Sequence, residues 1–145
     1  MGHTYHLNYA HLIFHVGSVN IHADNQERLY SYLCGILIAH GVKHISIGGV
    51  EDHVHILGDF PLTQAVADIV RGVKTSSSYW LKGIHSRYRE FAWQPGYAYF
   101  SVSASLYSRV ADYIAHQAEH HERMTAEEEY NRMMSKCTPL VVEAQ

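Results

Sequence analysis

Ile45-Ser46-Ile47-Gly48-Gly49-Val50-Glu51-Asp52-His53-Val54-His55-Ile56-Leu57-Gly58-Asp59 reads as two short strands joined by a turn. Ile45 and Ile47 share one face of the first strand, Gly48-Gly49 supplies a turn, and a second strand returns from about His53 to Asp59. Alternate side chains of a strand share a face, so Val54 and Ile56 point to a core while His53 and His55 project together from the other side. Paired imidazoles on a strand are either two polar residues on a solvated face or half of a metal site. Two donors are too few for a stable mononuclear site, so a third has to come from elsewhere in the fold.

Outward from this hairpin the chain alternates its periods. His11-Leu12-Ile13-Phe14-His15-Val16 is a first strand, with apolar residues too continuous for one wet face. Asp24 and Glu27 form a capping-box pattern, after which Leu29, Leu33, Ile36 and Leu37 recur at helical spacing until Gly41. Beyond Pro61, Val66, Ile69, Val70, Val73 and Trp80 mark a second helix that stops near Lys82-Gly83. Tyr97, Tyr99, Ser101 and Ser103 alternate with Ala98, Phe100 and Val102 as a fourth strand with two unlike faces. A helix with the stripe Leu106, Val110, Ile114 follows, and Thr125 with Glu128 caps a last one. The order βαββαβ plus terminal helices predicts an α+β fold, a ferredoxin-like or RRM-like antiparallel sheet with helices on one face. The opposite face is then free to present His53 and His55, with Tyr97 and Tyr99, to a ligand.

The 145 residues are expected to form a single domain spanning 1–145, with 47% hydrophobic and 17% charged residues as in ordinary globular proteins. Two cysteines, Cys34 and Cys137, give neither a disulfide framework nor a zinc-finger spacing. The longest apolar stretch, near Leu33 to Ala39, is too short to span a bilayer, and no basic segment followed by an apolar run opens the chain, so a cytoplasmic protein without a membrane partner is expected. A formal net charge of -3 argues against a protein that coats duplex DNA. Charge is uneven, however: Arg71, Lys74, Lys82, Arg87 and Arg89 fall in a stretch with no acidic residue, which suits a local anionic ligand. With 13 histidines in the chain, their number is poor evidence for metal and position has to discriminate.

The helix after the fourth strand carries Tyr113-Ile114-Ala115-His116-Gln117-Ala118-Glu119-His120-His121, in which Tyr113 and Gln117 are neighbours on one helical face. This stretch, together with His53-Val54-His55, resembles the single-tyrosine HUH transposases of the insertion-sequence 200/605 type, where U is a hydrophobic residue. Residues 47–55, Val73-Lys74-Thr75-Ser76-Ser77-Ser78-Tyr79-Trp80 and the segment from Phe91 to Ser103 are similar to the family's other signature stretches, in the same order. The resemblance implies that His53, His55 and Gln117 bind a divalent metal, magnesium or manganese. It implies that Tyr113 attacks single-stranded DNA to form a 5'-phosphotyrosine, and that the substrate folds into hairpins at the ends of a mobile element. It further implies a homodimer whose active sites can be shared between protomers. Within the basic stretch Lys74, Arg87 and Arg89 are the candidate DNA contacts, since phosphate contacts position a strand. His116 stands where the family usually has Asn, and is read as facing solvent or supporting a ligand.

Other readings compete. Tyr113 is also what an amphipathic residue beside the Leu106-Val110-Ile114 stripe would look like, and Tyr107 lies on the same helix without a glutamine four residues on. Tyr79, Trp80 and Trp93 read as core, and Glu127-Glu128-Glu129 as a solvated helix start favoured by the helix dipole. His116-x-x-Glu119-His120 fits the inverted zinc-peptidase motif, a reading that leaves His53 and His55 unused. A non-catalytic nucleic-acid binder on the same sheet is a third possibility, opposed by the joint presence of His53, His55, Tyr113 and Gln117.

Overall fold

The structure is a computed structural model that describes residues 2–117, 119 and 124–137. Strand β1 (Tyr9–Ser18) leads to helix α1 (Ala23–Ala39), the hairpin strands β2 (Lys43–Val50) and β3 (His53–Asp59), and helix α2 (Val66–Ile84). Two short strands, β4 (Ala92–Trp93) and β5 (Ala98–Ser101), precede helices α3 (Tyr107–Ala115) and α4 (Ala126–Cys137). The five strands form one antiparallel sheet ordered β2-β3-β1-β4, with β5 also paired to β1. The fold is therefore the expected ferredoxin-like α+β arrangement, except that the fourth strand is split. β4 pairs with the far end of β1 through a bulge between Val16 and Ser18, and Gly96, at φ +88°, turns the chain before β5 pairs with residues 10–13.

The two faces of the sheet bury different chemistry. Leu12, Phe14, Val54 and Ile56 face α1 and α2, where they meet Leu29, Leu33, Leu37, Ile69, Val73 and Leu81. Trp93 joins this core edge-on to Phe14 and Phe91, and its Nε1–H donates to the buried Ser77 Oγ at 2.9 Å. His11, Ile13, His15, His53, His55 and Leu57 occupy the opposite face, in register with one another across β1 and β3. Trp80 is half-buried and stacks on Tyr32 at the edge of the core. Tyr79, expected in the core, is 83% exposed because its position on α2 falls on the outward side.

Three local expectations are corrected. Gly48-Gly49 lies within β2 rather than forming the turn, which falls at Glu51-Asp52. Both glycines are needed where they are: a Cβ at Gly48 would lie 2.2 Å from the Ile114 carbonyl oxygen, and one at Gly49 would lie 2.4 Å from that of His53. Second, α1 is capped by His22, whose ring accepts from the Asp24 amide, in place of an Asp24 cap. Third, Tyr99 pairs with Leu12 and packs against Phe60 on the core side, so of the two tyrosines Tyr97 alone, one residue before β5, opens toward the His face.

The close approach at Gly48 is what lets α3 lie on β2 and bury Ile114. Gly48→Ala is expected to cost about 1–3 kcal/mol of stability, the usual penalty for overpacking a close contact, measured as a shift of the guanidinium unfolding midpoint.

Candidate active site

His53 and His55 are fully buried, and each ring has both nitrogens engaged. His53 turns Nδ1 to Asp52 Oδ1 at 2.7 Å and Nε2 to Gln117 Oε1 at 3.3 Å. His55 turns Nδ1 to His11 Nε2 at 2.7 Å and Nε2 to Glu129 Oε1 at 2.9 Å. The Asp52 carboxylate takes an N–H from His53, which leaves the Nε2 of the neutral ring as a lone pair. That lone pair faces the oxygens of Gln117 and Glu129, the latter at 3.5 Å. Lone pairs aimed at a common point are satisfied by a cation between them, and a mixed imidazole, amide and carboxylate set suits a divalent ion. Among the described residues, ligand atoms of His53, His55 and Glu129 all lie within 4.8 Å of one another, so this group can hold a metal ion.

The helical residues converge on the same point. Gln117 is 2% exposed and donates through Nε2 to the Tyr113 carbonyl at 3.4 Å, an intrahelical contact that turns its Oε1 toward His53. The Tyr113 hydroxyl donates a short hydrogen bond to Glu129 Oε2, and its ring lies edge-on to those of His55 and His11. Tyr113, His53, His55 and Gln117 are thus brought together. Glu129 is the residue that sequence reasoning missed. Glu127 and Glu128 are solvated as expected, but Glu129 is 3% exposed. The only signal was the Thr125 cap, which fixes the phase of α4: Thr125 Oγ1 accepts from the Glu128 amide and the Thr125 carbonyl from that of Glu129. Which of three consecutive glutamates turns inward was not readable without knowing where α4 lies.

Electrostatics follow burial and this shared carboxylate. Burial alone would lower the His53 pKa, but the neighbouring Glu129 and Asp52 carboxylates raise it overall. Burial would raise that of Glu129, and its contacts with His53, His55 and the Tyr113 hydroxyl lower it on balance. Tyr113 is pushed up by burial and by its bond to that anion. His11 is lowered to about 3, first by burial and then by His55, so its ring is neutral and its Nε2 is free to accept the His55 N–H.

The remaining candidates lie elsewhere. His116 is exposed, with Nδ1 donating to the Asp112 carbonyl at 2.6 Å, so it faces solvent. Tyr107 donates to the His44 carbonyl, away from the histidine pair. Lys74 donates to the carbonyls of Gln94 and Gly96 at 2.8 and 2.6 Å, holding the wall of a 590 Å³ cavity that also includes His15, Tyr97 and Glu127. Arg87 folds onto the ring of its neighbour His85, and Arg89 lines a separate surface hollow with Lys82 and His85. For the peptidase motif, His116 and Glu119 are both exposed and His120 lies outside the described residues. No helix among the described residues is long and apolar enough to cross a membrane.

This fold, with a histidine pair on the sheet and a tyrosine on the helix that covers it, is shared in architecture by solved transposase chains. A chain from Deinococcus radiodurans R1, provisionally named a transposase, superposes with a TM-score of 0.61 at 20% identity, over 81% of this chain and 96% of that one. A REP-associated tyrosine transposase bound to a REP hairpin superposes with a TM-score of 0.57 at 12% identity, over 83% and 74% of the two chains. No curated protein matches the chain. Residues 4–117 match the model of the IS200-like transposases, and the chain belongs to that family, whose members cut and rejoin DNA.

Because His11 is the acceptor for His55 Nδ1, His11→Phe is expected to leave a buried N–H unmet and cost about 1–3 kcal/mol. Chemical denaturation measures the loss, and His11→Gln, whose amide oxygen can accept, should recover part of it.

Proposed function

We propose that this transposase cuts and rejoins single-stranded DNA with Tyr113 as nucleophile and His53, His55 and Gln117 as metal ligands. The observation that carries the reading is the convergence of the Tyr113 hydroxyl with the two His Nε2 atoms and the Gln117 and Glu129 oxygens on one side of the sheet. A divalent ion there, magnesium or manganese, would supply a Lewis acid for the scissile phosphate. The protein's own groups do the rest. Asp52 and His11 fix the ring orientations of His53 and His55, so both present Nε2 forward. Tyr113 Oη attacks phosphorus and the bond to the 3'-oxygen breaks. The phenol's proton is lost to solvent and the departing oxygen takes one up, leaving a 5'-phosphotyrosine and a 3'-hydroxyl. The phosphotyrosine keeps the bond energy, so the 3'-hydroxyl of another end can reverse the reaction without ATP.

The substrate in this reading is a strand with hairpins. The relative solved on a REP hairpin supports it as a precedent for this fold. The cavity between His15 and Tyr97 lies beside the histidine pair, since the His15 and His53 rings stack at 5.3 Å, and it gives an unpaired base somewhere to lie. Lys74 would act there by shaping the cavity wall, and Arg87 and Arg89 by contacting phosphates just beyond the C-terminal end of α2. β2 is an edge strand, which is compatible with two copies joining their sheets. A cytoplasmic location is part of the same proposal.

Incubating the protein with manganese and a hairpin oligonucleotide from its own genomic flank is expected to give a covalent adduct of protein plus DNA by mass spectrometry. Tyr113→Phe should abolish it, and His55→Ala should reduce it at least about a hundredfold. An adduct that persists in Tyr113→Phe would sink the assignment, and zinc-dependent peptide cleavage lost with Glu119→Gln would support the peptidase reading instead.

A further inference from the structure

We infer that Glu129 is a further ligand of the same metal site, with one oxygen for the ion and the other holding the Tyr113 hydroxyl. This rests on the metal-site reading of His53 and His55. Adjacent ligands around an ion with bonds of about 2.1 Å lie about 3.0–3.4 Å apart. Glu129 Oε1 is 2.9 Å from His55 Nε2 and 3.5 Å from His53 Nε2, and Gln117 Oε1 is 3.3 Å from His53 Nε2. The Gln117 separation falls within that range and the two Glu129 separations lie within 0.1 Å of its edges, close to those of neighbours around one ion.

Burial singles out the same residue. Glu129 is 3% exposed, whereas Glu127 and Glu128, two and one residues earlier, remain in solvent, so the inward placement belongs to Glu129 alone of the three. The consequence is chemical. Glu129 Oε2 accepts the Tyr113 O–H while Oε1 faces the histidines, so this one carboxylate would tie the nucleophile to the residues that hold the ion. A hard anionic oxygen also moves the preference of the site toward manganese and magnesium, which two imidazoles and an amide would not by themselves favour.

Manganese titrated into the metal-stripped full chain, followed by calorimetry and by loss of the free-ion electron paramagnetic resonance signal, tests this. Glu129→Gln, equal in size, is expected to weaken manganese binding at least about tenfold. Glu128→Gln should bind as the unaltered protein does. Glu129→Gln with undiminished affinity, beside a His55→Ala that no longer binds, would overturn the role of Glu129 and leave the metal site standing. Undiminished binding in both His53→Ala and His55→Ala would remove the site itself and Glu129 with it. Far-UV circular dichroism checks folding. Should Glu129→Gln not fold, Glu129→Asp withdraws the carboxylate by one methylene; weaker binding supports the inference and unchanged binding overturns it.

Discussion

A buried imidazole must hand both ring nitrogens to partners, and on this sheet two of them sit side by side with no exposure at all. Meeting that demand recruits groups from four separate places in the chain. The β2–β3 turn supplies Asp52, the neighbouring strand supplies His11, the end of α3 supplies Gln117, and α4 supplies Glu129. The backward-facing bonds are made by β1 and the β2–β3 turn and the forward-facing ones by helical residues. His53 and His55 are consequently fixed in direction before any ligand arrives, as preorganised sites require.

The hydrophobic core explains why the site lies on this face and no other. β1 and β3 alternate strictly, so the register that pairs Leu12 with Ile56 and Phe14 with Val54 under α1 and α2 also aligns His15 with His53 and Ile13 with His55 on the far side. A slip of one residue in β1 would drive His11 and His15 into the apolar core, and one in β3 would do the same to His53 and His55. The register of the site is therefore enforced by the burial of Leu12, Phe14, Val54 and Ile56 and needs no help from the ligands.

What could be read from sequence follows the same division. Periodicity is a property of single elements, so β1, α1, β3 and α2 were legible, as was the sharing of one face by His53 and His55 and of one helical turn by Tyr113 and Gln117; of the expected stripe Leu106, Val110, Ile114 only Ile114 is fully buried, and Leu106 is exposed ahead of α3. Contacts that join distant elements leave no periodic trace. His11 looked like any strand residue until pairing with β3 set it behind His55, and Glu129 looked like its two solvated neighbours until α4 was placed. The Gly48-Gly49 pair misled for a related reason. Two glycines signal a turn when viewed locally, but here they clear space for Ile114 and for the His53 carbonyl. Lys74 likewise read as a free cation because the carbonyls of Gln94 and Gly96 that it holds lie about twenty residues away in sequence.

Placement of the nucleophile depends on a short element. α3 has nine residues, too few for a stable helix in isolation, so its position is set by what it packs against. Ile114, next to Tyr113, is the one fully buried side chain of α3 and rests on Gly48, while Tyr107 at the other end ties α3 to the His44 carbonyl. Both anchors are on β2, whereas the imidazoles are on β3. The spacing between nucleophile and histidines therefore passes through the β2–β3 pairing, where Gly48 stands directly opposite His55. A side chain at position 48 would lift the helix from the strand beside the histidine, so the absence of a Cβ there is as much part of the site's geometry as the ligands themselves.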